Sequence, residues 1–211
     1  MSAKEDEIKT ILCLGSGYVG AMTMTIFATK HPETTFYVYD VFKSVIDRWN
    51  NLIPTDEKTC PFVEKDLFQE VVKVHKKNLF FISEITDEIW SKSELVFICV
   101  NTPSMTEYKY APTDTIEHIE ELIKKGIELS MDNVYNSVKD LTLREIKILK
   151  AGKTGDAAAQ ELAKMMKPKI FIQKSTVDVG TLSKLYQIVH DAFKENETED
   201  FKFTDAEVDE K

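Results

Sequence analysis

Residues 8–40, IKTILCLGSGYVGAMTMTIFATKHPETTFYVYD, decide how this chain is read. Residues 8–14 are β-branched and apolar enough for a buried strand, and they run straight into Gly15-Ser16-Gly17-Tyr18-Val19-Gly20, a GxGxxG turn. Residues 21–30 read as a helix, and residues 35–41 as a second strand that closes on an acid, Asp40. A lone GxGxxG says little, because glycine turns recur in many loops. Strand, turn, helix, strand and acid at this spacing form a dinucleotide-binding unit.

Each glycine has a separate task in such a unit. Gly15 lets the chain reverse off the strand, Gly17 lets backbone approach a pyrophosphate, and Gly20 lets helix and strand pack closely. The helix that follows turns its first N–H groups and positive dipole end toward the phosphates. Asp40 lies twenty residues beyond Gly20, where a carboxylate accepts hydrogen bonds from an adenosine ribose and repels a 2′-phosphate. The cofactor expected is therefore NAD over NADP, with Lys43 near enough to soften the preference.

Beyond residue 40 the pattern continues. Residues 43–51 place Val45, Ile46 and Trp49 on one helical face, and Trp49 reads as core. Residues 51–66 read as a loop with Pro54 and Pro61, and residues 67–75 as a short amphipathic helix. NLFFIS at 78–83 is a third strand, residues 84–91 a short helix, and LVFICV at 95–100 a fourth, continuously apolar strand. Apolar runs separated by helices predict a parallel sheet covered on both faces. The fold class is thus α/β, a Rossmann-type doubly wound parallel sheet with the first strand central.

The fourth strand ends in Asn101-Thr102-Pro103-Ser104, at the carboxyl edge where open α/β sheets bind ligands. Thr113 or Asp114 then caps a helix reaching Ser130, with Ile116, Ile119, Ile123 and Ile127 along one side. Residues 131–168 break the alternation and read as a helical insertion of two pieces, 141–150 and 156–166, joined by a turn at 151–155. The Gly152-Lys153-Thr154 run is not a phosphate loop, since GxxxxGK[ST] would need glycine where Lys147 stands. Residues 168–174 resume the sheet as a fifth strand, followed by a turn, Ser175 to Thr181, and a helix over 181–193. Hydroxyls at the two strand-end turns would flank a nicotinamide.

The chain has 211 residues, enough for one α/β domain over 1–194 with an extension. Residues 195–211 carry eight acids against two lysines and read as an acidic C-terminal tail. A net charge of −9 argues against a nucleic-acid partner, which needs clustered Lys and Arg. No signal segment opens the sequence and no apolar run is long enough for a bilayer, so neither membrane nor export is expected and the cytoplasm is the expected compartment. Cys13, Cys60 and Cys99 form no CxxC pair and read as reduced thiols, Cys60 alone in a loop. His31, His75, His118 and His190 have no ligand-spaced partners, so no metal site is expected.

GSGYVG at 15–20, VYDV at 38–41, NLFFIS at 78–83, LVFICVNTPS at 95–104 and KSTVDVGT at 174–181 occur in the order seen in the nucleotide-sugar dehydrogenases. The chain resembles the amino-terminal NAD-binding domain of the UDP-glucose/GDP-mannose dehydrogenase family, of the UDP-glucose 6-dehydrogenase type. The resemblance implies that NAD is held by Gly15, Gly17, Tyr18, Val19, Gly20, Asp40, Val100, Asn101, Thr102 and Thr176. It implies a second role for Thr176, positioning a catalytic water. The implied reaction takes UDP-glucose to UDP-glucuronate with two NAD reduced, through a thiohemiacetal on a cysteine nucleophile.

Several positions depart from the family. Val45 stands where the run DxNxxR carries arginine, Val63-Glu64-Lys65-Asp66-Leu67 replaces YEPGL, Asp178 replaces the proline of STVPVG, and residues 131–168 exceed the usual connection. The NPEFLxEG and GxCxxKD segments, the latter bearing the nucleophile, do not occur in the 211 residues. The expectation is that a UDP-sugar binds only once a second domain completes the site, and that these residues by themselves do not turn it over. Two other readings compete. Tyr135 and Lys139 have the YxxxK spacing of short-chain dehydrogenases, but without their TGxxxGxG turn. The other is a catalytically inactive fragment that binds NAD or oligomerises, as a homo-oligomer or with full-length relatives, without turnover.

Overall fold

The computed structural model describes residues 7–61, 65–102, 116–198 and 202, with only the backbone for 65–66 and 116–130. Its five strands are β1 (Thr10–Leu14), β2 (Thr35–Tyr39), β3 (Leu79–Ile82), β4 (Leu95–Ile98) and β5 (Ile170–Gln173). They pair in the order β3-β2-β1-β4-β5, and every pair is parallel. β1 is central, and all five of its residues are buried. The carboxyl ends of all the strands therefore share one edge, where the glycine turn leaves β1.

Seven α-helices are described: α1 (Tyr18–Lys30), α2 (Lys43–Asn50), α3 (Lys65–Val74), α4 (Asp87–Lys92), α5 (Ile116–Thr154), α6 (Ala157–Lys164) and α7 (Thr181–Glu195). Alternation along β1 assigns them to faces. Ile11 and Cys13 point into a core with Met24 of α1, Trp49 of α2 and Val71 of α3. Leu12 and Leu14 point the other way, into a core with Trp90 of α4, Val134 and Val138 of α5 and Leu185 of α7. A sheet with helical cover on both faces is doubly wound. Trp49, fully buried, stacks on Phe81 at 4.3 Å between ring centres, so it serves the core as its apolar helical face predicts.

The region 131–168 differs from the sequence expectation. The helix does not end at Ser130 and no turn occupies 151–155; one helix of 39 residues runs from Ile116 to Thr154. Gly152 lies inside that helix because of what it meets. A Cβ there would come within 2.2 Å of the Cβ of Ala163, so the missing side chain lets α6 lie against α5. Close helix contact offsets the roughly 1 kcal/mol that an interior glycine costs. The break falls at Gly155 and Asp156, whose carboxylate caps α6 by accepting from the Ala159 N–H at 3.0 Å. The expected cap at Thr113 or Asp114, the isoleucine face of 116–127, Pro103 and Ser104 lie outside the residues or side chains described, as do residues 199–201 and 203–211 of the acidic tail.

At the opposite edge of the sheet from the glycine turn, Lys169 is 2% exposed just ahead of β5. Its amine donates to the carbonyls of Lys167 at 2.6 Å and Ser91 at 3.3 Å and sits 5.2 Å from the centre of the Trp90 ring. Burial pushes its pKa down to about 7, against a smaller upward pull from Glu94.

Candidate functional site

Between β1 and α1 each residue of the turn is fixed by a different contact. Gly15 has φ +99°, and a Cβ on it would lie 2.4 Å from the carbonyl oxygen of Cys99. Only glycine supplies both that backbone and that approach. Gly20 packs so tightly that its Cβ would fall 2.0 Å from the Gly15 carbonyl oxygen. A Cβ on Gly17, by contrast, would meet nothing within 4 Å. The backbone at Gly17 is thus open for close approach, and α1 begins there with no side-chain cap and no acid in its first turn. Such an end suits a pyrophosphate.

Ser16 is fully buried and gripped from three sides. Its N–H and hydroxyl both donate to Oδ2 of Asp40, at 2.9 and 2.8 Å, and its carbonyl accepts from the Trp49 indole at 3.3 Å. Oδ1 of Asp40 accepts from the Phe42 N–H at 3.0 Å. Each carboxylate oxygen has two lone pairs, so Asp40 can tie the two βα turns together and still face a ribose.

Beneath the turn lie two thiols, Cys13 in β1 and Cys99 just past the end of β4. The Gly20 Cβ position is 3.1 Å from the Cys13 sulfur and 3.1 Å from the Cys99 Cβ. The hydrogen bond to Cys99, with burial, holds the Cys13 thiol well above its usual pKa. The same bond lowers that of Cys99, helped by Lys174 and opposed by burial.

These elements open on a cleft of about 1000 Å³ along the carboxyl edge of the sheet. Gly15, Gly17, Tyr18, Val19, Asp40, Val100, Asn101, Thr102 and Thr176 line it, so the structure brings nine of the sequence-derived residues to one place. Gly20 lies beneath, in a packing role. The turns after β4 and β5 are cross-tied, since the Ser175 hydroxyl donates to the Val100 carbonyl at 2.6 Å. Lys43 is outside the lining and bonds Asp47 one turn on, at 2.7 Å.

The sequence reading missed the far wall. Asn133, Asn136, Ser137, Asp140 and Arg144 line the cleft from α5, with Asn133 donating to the Asn101 carbonyl at 2.8 Å and Arg144 paired with Asp87. Their i, i+3 and i+4 spacing was visible, but nothing local says that this polar stripe faces the glycine turn. Tyr135 has Lys184 over its ring at 4.2 Å, and Lys139 is exposed. Cys60 lies in a loop, as expected, but is 6% exposed and packs into the core on the α1 face of the sheet. Among the described residues no group of His, Cys, Asp or Glu could hold a metal, and no helix is long and apolar enough to cross a membrane.

The sequence model of the UDP-glucose/GDP-mannose dehydrogenase family, NAD binding domain, matches residues 9–138. A UDP-glucose 6-dehydrogenase of Pongo abelii is 43% identical over 100 residues, which make up 47% of this chain and 19% of that protein. UDP-glucose 6-dehydrogenase 1 of Arabidopsis thaliana is 36% identical over 97 residues, 46% of this chain and 19% of that one. The chain thus spans about a fifth of the length of the curated relatives it matches. Among solved structures, a UDP-glucose dehydrogenase of the archaeon Pyrobaculum islandicum superposes with a TM-score of 0.56 at 18% identity, over 91% of this chain and 34% of that one. A GDP-mannose dehydrogenase of Pseudomonas aeruginosa gives 0.55 at 17% identity, over 86% and 32%. At those identities the superpositions bear on fold alone, and they agree with the sheet described above. With 9–138 matched by the family model and the glycine turn built as described, the chain belongs to the UDP-glucose/GDP-mannose dehydrogenase family and carries its NAD-binding domain.

Proposed function

We propose that residues 1–194 act as one unit that holds NAD in the cleft and serves the oxidation of a nucleotide sugar, UDP-glucose to UDP-glucuronate. The observation that carries this reading is the open backbone at Gly17 beside a buried, clamped Ser16 and a part-exposed Asp40. In this reading Gly15, Gly17, Tyr18 and Val19 receive the pyrophosphate, and Asp40 accepts from the adenosine ribose. Val100, Asn101, Thr102 and Thr176 bound the nicotinamide end, where Thr176 orients a water. NAD supplies a hydride acceptor when bound; the residues named here bind, orient and exclude solvent.

The same observations favour binding without turnover by these 211 residues alone. Cys13 and Cys60 are buried outside the cleft, and Cys99, which lines it at 8% exposure, sits under the dinucleotide turn where NAD would cover it, so none of the three meets the sugar in the second oxidation. Calorimetry with NAD, followed by absorbance at the NADH band with UDP-glucose added, tests both halves. Binding without sustained NADH formation is the expected result. Absence of NAD binding sinks the first half, and sustained NADH formation sinks the second.

A further inference from the structure

We propose that α5 supplies the adenosine-side cation of the dinucleotide cleft, with Arg144 packed against the adenosine diphosphate half and held there by Asp87. This rests on the NAD reading above and goes beyond the residues the sequence suggested for it.

The charge distribution carries the inference. A bound dinucleotide brings two phosphate charges into a cleft whose described lining already holds the carboxylates of Asp40, Glu84 and Asp140. Among the described lining residues the cations are Arg144 and Lys174. Lys174 follows β5, on the nicotinamide side of the strand order. Arg144 pairs with Asp87, the first residue of α4, on the side where Asp40 and Glu84 follow β2 and β3. One cation stands at each end, and Arg144 is the one on the side of the strand order where the proposed ribose acceptor lies.

The helix is suited to the task. Asn133 bonds the turn after β4 and Arg144 bonds α4, and the helical rise from one to the other is about 16 Å. This stretch of α5 crosses the cleft from one strand-end turn to the other side, anchored at both ends. Position 45, which follows Asp40 on its own helix, carries a valine packed on the core and so offers no charge there. A guanidinium whose plane is fixed by a carboxylate can stack on a base or fork to a phosphate, neither of which an amine does well.

Calorimetry with the full chain tests this, titrating NAD and ADP-ribose into the parent, Arg144→Gln, Asp87→Asn and Lys147→Gln. Arg144→Gln is expected to weaken NAD and ADP-ribose by the same factor, about tenfold, as for loss of a charged hydrogen bond. Asp87→Asn should give a smaller loss in both, and Lys147→Gln, exposed on the same helix outside the cleft, should match the parent. Unchanged thermal melting in Arg144→Gln shows that its loss is not one of folding. If Arg144→Gln binds NAD like the parent, or loses NAD but not ADP-ribose, the proposal is overturned while the NAD reading stands. If the parent binds neither ligand, both fall.

Discussion

The hydroxyl and the backbone N–H of Ser16 donate to the same oxygen of Asp40, at 2.8 and 2.9 Å. The acid after β2 is therefore a structural tie between two turns as well as a candidate ribose acceptor, and the two roles separate by mutation. Ser16→Ala removes one hydrogen bond and should lower stability by about 1 kcal/mol while leaving NAD affinity within roughly threefold of the parent. Asp40→Ala strands the buried Ser16 N–H as well, so it should cost about 2–3 kcal/mol and weaken NAD about tenfold. Urea denaturation and calorimetry on the two variants check this. Retained affinity in Asp40→Ala would leave Asp40 with the structural role alone.

The glycines should divide in the same way. A methyl on Gly17 meets no protein atom within 4 Å, so Gly17→Ala should fold with stability within about 0.5 kcal/mol of the parent yet lose NAD affinity, because the methyl occupies the space of approach. A methyl on Gly20 collides with the Gly15 carbonyl, and Gly20→Ala should lose about 3 kcal/mol or more. A Gly17→Ala chain that melts early, or one that binds NAD like the parent, would contradict the assignment.

Contact between α5 and α6 makes a third prediction. Gly152→Ala should destabilise by about 1–3 kcal/mol through overlap with Ala163, and Ala163→Gly should relieve much of that loss in the double variant. Additive effects in the cycle would mean that the two positions do not touch.

Lys169 sets a pH dependence whose sign is fixed. Its pKa is lowered to about 7 by burial, while in the unfolded chain it returns to about 10.4. The unfolded state thus binds more protons between those values, and stability must rise with pH across that window. The gain from pH 7 to 8.5 should be about 1.5 kcal/mol and should vanish in Lys169→Met. His75, also lowered by burial and then by Lys76, has made its contribution by about pH 6.5. Denaturant midpoints at the two pH values, in parent and variant, decide the point.

Much of this was legible because it is local. Residues 8–40 carry a strand, turn, helix and strand whose glycines and acid act within one βαβ unit, and the parallel sheet follows from continuous apolar runs such as LVFI of β4. The shape of 131–168 was not legible, because whether Gly152 ends a helix depends on Ala163, which the chain reaches only after α5 ends. The α5 wall was hidden for a related reason. Asn136 and Asp140 read as solvent-facing polar residues until the sheet brings β1 and β4 beneath them. Ser16 occupies a variable position of the glycine turn, and no local pattern shows its role, since its partners Asp40 and Trp49 come from the turn after β2 and from α2.

The pair of sulfurs under the glycine turn gives the cleft a built-in chemical reporter. Cys99 lines the cleft at 8% exposure and is the thiol drawn toward the thiolate form, whereas Cys13 is fully buried and held protonated. A small alkylating reagent should therefore enter from the ligand side, react at Cys99 before Cys13, and be slowed by whatever occupies the cleft. Labelling rate becomes a measure of occupancy that needs neither turnover nor a coloured ligand.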